Sequence, residues 1–236
     1  MEHDSANELS IKKVLDKGYV RLVDVMGSDL SVANAARASF AKESTALSAA
    51  DARLIDYLAR ENHMSPFRHA FMTFEIKAPL MVARQHWKYV VGSDHTMDSW
   101  NESSRRYITM DPDFYVPGVE DWRMAPEDKK QGSGGPMANQ NGPSAVNTFA
   151  NSQAIANYSS LLERGVAPEQ ARMVLPQSMM IEATWSGTMG AFAKMCRERL
   201  ASDAQYETRL VAQQVYDLMH NHMPVSTELL VKGMTE

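Results

Sequence analysis

The chain has 236 residues, 44% hydrophobic and 22% charged, with a net charge of −5. That length and composition fit a folded soluble protein with a sizeable core, as one large domain or two small ones. The acidic balance excludes a nucleic-acid protein whose affinity comes from overall positive charge, although a local cluster of arginines can still hold a small phosphate ligand.

In chain order, "GYVRLVDVMG" alternates apolar residues and closes on a glycine, which predicts a strand over 18–27. "LSAADARLIDYLARENH" predicts a helix, with Ser48 as its cap, Asp51 three residues on, and Leu54, Ile55 and Leu58 on one face. "FMTFEIK" is aromatic-rich and alternating, a strand over 71–77. Pro79 then opens a helix, "PLMVARQHWKYV", where proline is tolerated in the first turn. Residues 111–146 carry many Pro and Gly and few aliphatics, which predicts a long surface excursion. "NTFANSQAIANYSSLLERG" is helical with Gly165 as its stop, and Pro168 opens a short helix that ends before Pro176. "SMMIEATWS" reads as a strand, and "TMGAFAKMCRERL" and "DAQYETRLVAQQVYDLMHNHM" read as helices, the last with Ala204, Val211, Val215 and Leu218 near helical spacing. Strands alternate with helices through irregular connections, so the expectation is one α/β or α+β domain over 1–236 rather than a regular doubly wound sheet.

Three constellations carry chemistry. "HMSPFRH" (63–69) places Ser65 beside a stiff proline turn, and its two histidines suit a ligand-binding turn, local hydrogen bonds or, less well, a metal pair that no carboxylate completes. "NESSRRY" (101–107) gathers Ser103, Ser104, Arg105 and Arg106, hydroxyls and guanidinium forks that match phosphate oxygens. Glu102 beside them would repel a phosphate and should face a ribose hydroxyl or a ring N–H. The alternative for this run is a solvated charged face. Arg172 and Arg199 each interrupt an apolar context and need an anionic or carbonyl partner, either a ligand or an internal glutamate among Glu182, Glu198 and Glu207. Cys196 is the only cysteine, so no internal disulfide framework is possible, and "AKMCRER" at helical spacing makes it a core residue rather than a nucleophile. The polar, acidic opening "MEHDSANELS" is no signal peptide, and no apolar run approaches a membrane span, so a cytoplasmic protein without membrane partners is expected.

Taken in order, "HMSPF", "ARQ", "NESSRRY", "ARMVLP" and "RERLASDAQYE" resemble the motifs of the flavin-dependent thymidylate synthases, from about Val20 to about Val215. The resemblance implies reductive methylation of dUMP to dTMP. Methylenetetrahydrofolate would give the carbon, reduced FAD the hydride, and NADPH would re-reduce the flavin in a homotetramer with shared active sites. It places Arg199 at the uracil ring as the catalytic cation. Gln85, Lys88, Glu102, Ser103, Ser104, Arg105, Arg106 and Arg172 would then contact dUMP. It places Ser65, Lys88, Tyr89, Val90, Glu102, Thr188, Gly190 and Lys194 at the flavin. It implies no nucleophilic cysteine.

The chain departs from that pattern in several places. Arg68 stands where the family has a glutamate, Thr188 and Lys194 replace asparagines, Gly190 replaces an arginine and Asp203 a histidine. The family's Arg-His-Arg falls on Lys88, Tyr89 and Val90 when counted from "RQHW", but six residues later when counted back from "NESS". The first count is favoured, because Lys88 keeps a cation and the helix from Pro79 continues unbroken. His95 of the inserted loop is then a further expected flavin contact. A related hydroxymethylating enzyme and a catalytically silent nucleotide-binding paralogue are the alternatives.

Overall fold

The structure is a computed structural model that describes residues 11–91, 98–103, 112–118, 120–127, 132–138 and 141–233. Strands β1 (Ile11–Val14) and β2 (Gly18–Met26) form a hairpin. Leu15 and Asp16 take positive φ of 54° and 60° in its turn. Gly18 follows because a Cβ there would meet Val14 O at 2.5 Å and Lys77 O at 2.7 Å. With β3 (Phe71–Pro79), β4 (Ser99–Glu102) and β5 (Met180–Thr188) they build a five-stranded sheet in the order β1-β2-β3-β5-β4, every pairing antiparallel.

Alternation along β3 and β5 gives the sheet one buried face and one polar face. Val20, Leu22, Met72, Phe74, Ile76, Ala78 and Trp185 point into the core, while Glu75, Lys77 and Glu182 lie on the other side. Helices α1 (Asp29–Arg37), α2 (Ala49–Arg60), α3 (Leu80–Val91), α6 (Met189–Arg199), α7 (Tyr206–His222) and α8 (Pro224–Val231) pack on the buried face. Helices α4 (Asn141–Glu163) and α5 (Pro168–Ala171) precede β5. The fold is therefore α/β in composition, with an antiparallel sheet.

Several local expectations match. Ser48 caps α2 and Asp51 returns a bond to the Ser48 backbone N–H, a full capping box. Ile55 and Leu58 are buried and Leu54 packs on the core. Gly165 takes φ 80° just past α4. Others need correction. Pro79 ends β3, paired with Met180, and α3 begins one residue later at Leu80. Helix α4 starts at Asn141 rather than 147, because Pro143 sits in its first turn, where its missing N–H costs nothing.

The 111–146 excursion is not all surface. Phe114 and Tyr115 are buried, since Asp113 O accepts from Met180 N (2.8 Å) and Tyr115 N donates to Ser178 O (2.8 Å), strand-like bonds that draw the ring of Phe114 into a second small core with Ile181 and Ala183. Among the described residues no helix is long and apolar enough to cross a membrane.

Asp51 is fully buried and accepts from Ser48, from the Arg37 fork (Nε 2.9 Å, Nη2 2.6 Å) and from Ser44 (3.1 Å). The Ser48 hydroxyl, then the Ser48 N–H and the Arg37 guanidinium hold its carboxyl well below the usual range, against the opposing effect of burial. A depressed folded pKa contributes stability above the unfolded value of about 4 that is lost as pH falls below it. Asp51→Asn should therefore lower the thermal midpoint at neutral pH and flatten its decline between about pH 5 and pH 3. Parallel melts of both proteins check this, and an unchanged slope would remove Asp51 from the acid response.

Candidate active site

Helix α3 is the spine of the site. Its buried stripe (Val82, Ala83, His86, Tyr89) fixes it against the sheet and α6. At about 100° per residue, Arg84 and Trp87 then face one side, and Lys88 and Tyr89 the next. A cleft opens on each of these neighbouring faces.

The first cleft has a volume of about 510 Å³ and lies between α3, the end of β4 and the segment after α5. It brings together Arg84, Trp87, Glu102 and Arg172. Arg84 Nη1 donates to Gln177 Oε1 (3.2 Å), and Arg172 Nε donates to Glu169 O (3.3 Å). Trp100 Nε1 reaches Glu102 Oε2 at 3.4 Å. Ser103 is exposed just beyond, its N–H donating to Glu182 O (2.8 Å).

The second cleft, about 770 Å³, lies between the 62–68 turn, the end of α3 and helix α6. It gathers Ser65, Lys88, Tyr89, Gly190, Lys194 and Arg199, six of the residues expected from the sequence. Tyr89 is 8% exposed, and its hydroxyl donates to Glu198 Oε2 (2.7 Å). Burial, then that bond, pushes the phenol up, so it remains a neutral donor at pH 7. The Arg199 guanidinium lies over the Tyr89 ring, 5.0 Å from its centroid, and its Nε is buried with no hydrogen-bond partner among the described residues. Arg199 forms no ion pair with Glu182, Glu198 or Glu207 there, so the internal-salt-bridge alternative fails for it. Behind it His86 is fully buried and held neutral, its pKa lowered to about 4 by burial first and by the Arg199 charge second.

Besides Ser103, three expected residues do not line either cleft. Gln85 Nε2 instead donates to Gln205 Oε1 and Met81 O. The Thr188 hydroxyl caps α6, accepting from Ala191 N (3.2 Å), and Val90 packs against the core. Ser104, Arg105, Arg106 and His95 lie outside the described residues. Helix α3 runs unbroken through Lys88 and Tyr89, as the count from "RQHW" requires. The sequence reading missed Arg68 and Arg197 in the second cleft and Trp87 in the first. Arg68 was visible only as an out-of-pattern cation in the 63–69 turn.

Cys196 is fully buried, its thiol donating to Ala212 O (3.7 Å), and burial pushes its pKa up. It does not line either cleft. Cys196→Ala should keep turnover within about twofold, and the native thiol should resist labelling until the protein is unfolded. Rapid labelling of the native protein would contradict this placement.

A family model described as thymidylate synthase complementing protein matches residues 21–225. The chain is 38% identical over 213 residues to a protein of Thermus thermophilus named flavin-dependent thymidylate synthase, covering 90% of this chain and 75% of that one. It is 35% identical over 222 residues to a protein of the same name from Thermotoga neapolitana, covering 93% of each. Among solved structures, the UMP/dUMP methylase PolB from Streptomyces cacaoi, bound with 5-Br dUMP, is similar at TM-score 0.78 and 32% identity over 89% of this chain and 93% of that one.

Proposed function

The chain belongs to the flavin-dependent thymidylate synthase family, and on that premise we propose that it converts dUMP to dTMP, with methylenetetrahydrofolate as carbon donor, FAD as hydride carrier and NADPH as reductant. The observation that carries this reading is the second cleft, where Arg199 stacks on Tyr89 beside Lys88 and Lys194. A permanent cation held by a ring rather than by a carboxylate keeps its charge available for an anionic uracil ring. Arg172 in the first cleft suits the nucleotide phosphate, a role the sequence pattern also gives Arg105 and Arg106, and Glu102 suits a sugar hydroxyl or ring N–H.

The second cleft also fits a flavin nucleotide, with cations for its phosphates, Ser65 as a polar contact and Tyr89 as a neutral donor. Bound there, reduced FAD would supply the hydride. The chain's residues bind and orient the uracil against it and stabilise negative charge on the ring.

Residues expected on one nucleotide lie in two clefts of a single chain, which favours sites completed by other copies in a homotetramer. Val146 (70% exposed), Phe149 (67%) and Met173 (78%) are exposed apolar side chains that such packing would cover. The relatives named above favour methyl over hydroxymethyl transfer.

Purified protein should carry or take up flavin whose absorbance bleaches with NADPH and returns on adding dUMP with methylenetetrahydrofolate. UMP in a parallel cuvette reports whether the ribonucleotide is also used. A protein that binds dUMP but no flavin would support the silent paralogue instead.

A further inference from the structure

Five cationic side chains line the second cleft: Arg68, Lys88, Lys194, Arg197 and Arg199. Its one lining carboxylate, Glu198, accepts the Tyr89 hydroxyl. Arg68, Lys88 and Lys194 have no ion-pair or side-chain hydrogen-bond partner among the described residues. Like charges gathered around one concavity repel each other, and a multivalent anion entering it relieves that repulsion.

Two of these cations, Arg68 and Lys194, depart from the resembled pattern and sit on rigid supports. Arg68 lies in the 3₁₀ turn Pro66–His69, whose Pro66 and Phe67 are buried. Lys194 stands on α6 between the buried residues Ala193 and Met195. The first turn of α6, Gly190 and Ala191, opens into the same cleft, so the positive end of an 11-residue helix adds to the field. Relative to the resembled pattern, Arg68 and Lys194 bring charge where a glutamate and an asparagine stand, while Val90 and Gly190 have each lost an arginine. The positive charge is thus redistributed relative to that pattern rather than lost.

We propose that Arg68 and Lys194, with the N-terminus of α6, form a pyrophosphate site that selects a dinucleotide flavin over free flavin. The proposal rests on the reading of this cleft as the flavin site. It makes the binding preference a property of two residues outside the "RQHW" and "NESSRRY" motifs.

The test titrates the full chain and its Arg68→Ala and Lys194→Ala variants with FAD, FMN and riboflavin, following flavin fluorescence. Both side chains reach into the cleft from anchored elements, so the variants should melt at the wild-type temperature without flavin. Each variant should lose about tenfold in FAD affinity and less than about twofold for riboflavin. Wild-type FAD binding should weaken with salt more steeply than that of either variant. Wild type binding FAD and riboflavin equally, or variants losing both alike, would overturn this proposal and leave the flavin reading standing. No flavin binding by wild type would overturn both.

Discussion

Arg199→Ala should lower kcat for dUMP by about 10²–10³-fold, with a smaller rise in the KM for dUMP. The size follows from where the guanidinium sits. It closes the C-terminal end of α6, lies over the Tyr89 ring and has no carboxylate neutralising it among the described residues. A charge held in this way costs no reorganisation when negative charge develops on the uracil ring. Arg199→Lys should recover only part of the loss, because an ammonium cannot match the planar guanidinium on the Tyr89 ring. Circular dichroism should be unchanged, since Arg199 is only partly buried at a helix end. A loss below tenfold would move the charge-stabilising role to another cation of the cleft, Lys88 first.

Trp185→Ala should cost about 3–5 kcal/mol in urea unfolding. Trp185 has no exposed surface and is the largest fully buried side chain. It packs on Phe192 at 4.5 Å and Trp100 at 6.0 Å, and His86 lies 6.4 Å away. It also pairs in register with Phe74 of β3 and Trp100 of β4. Removing it leaves a cavity between the sheet and α6 and loosens β4, the strand that presents Glu102 to the first cleft. Trp185→Phe should lose much less, since a ring still fills most of the volume. A cost under 1 kcal/mol for the alanine variant would mean that β4 and α6 are not coupled through this ring.

What could be read from the sequence was set by short-range chemistry. The Ser48–Asp51 box, the alternation of "FMTFEIK" and the glycine stop at 165 are each decided by residues within a turn or two, and each appears in the structure. Helix α8 was missed because its N-terminal N–H groups are capped from far along the chain: Asp29 accepts from Val225 N (3.0 Å) and Ser226 N (2.8 Å). The four residues of β4 were missed because they become a strand only by pairing with β5. The burial of Phe114 and Tyr115 depends on the same strand's N-terminal flank.

The site divides in the same way. Lys88, Tyr89 and Arg199 could be named from motifs, but that Arg68 faces the same cleft as Lys194 required the fold. No local pattern reports that two helices and a turn converge. Of the residues between "RQHW" and "NESS", Lys88 and Tyr89 lie on an unbroken helix and reach the cleft.

The most direct measurement is the mass of the product after incubation with dUMP, methylenetetrahydrofolate, FAD and NADPH. A nucleotide heavier than dUMP by one methylene unit, dTMP, whose formation requires both FAD and NADPH, is the predicted result. Unchanged dUMP, a hydroxymethyl product, or dTMP formed equally well without flavin would contradict it.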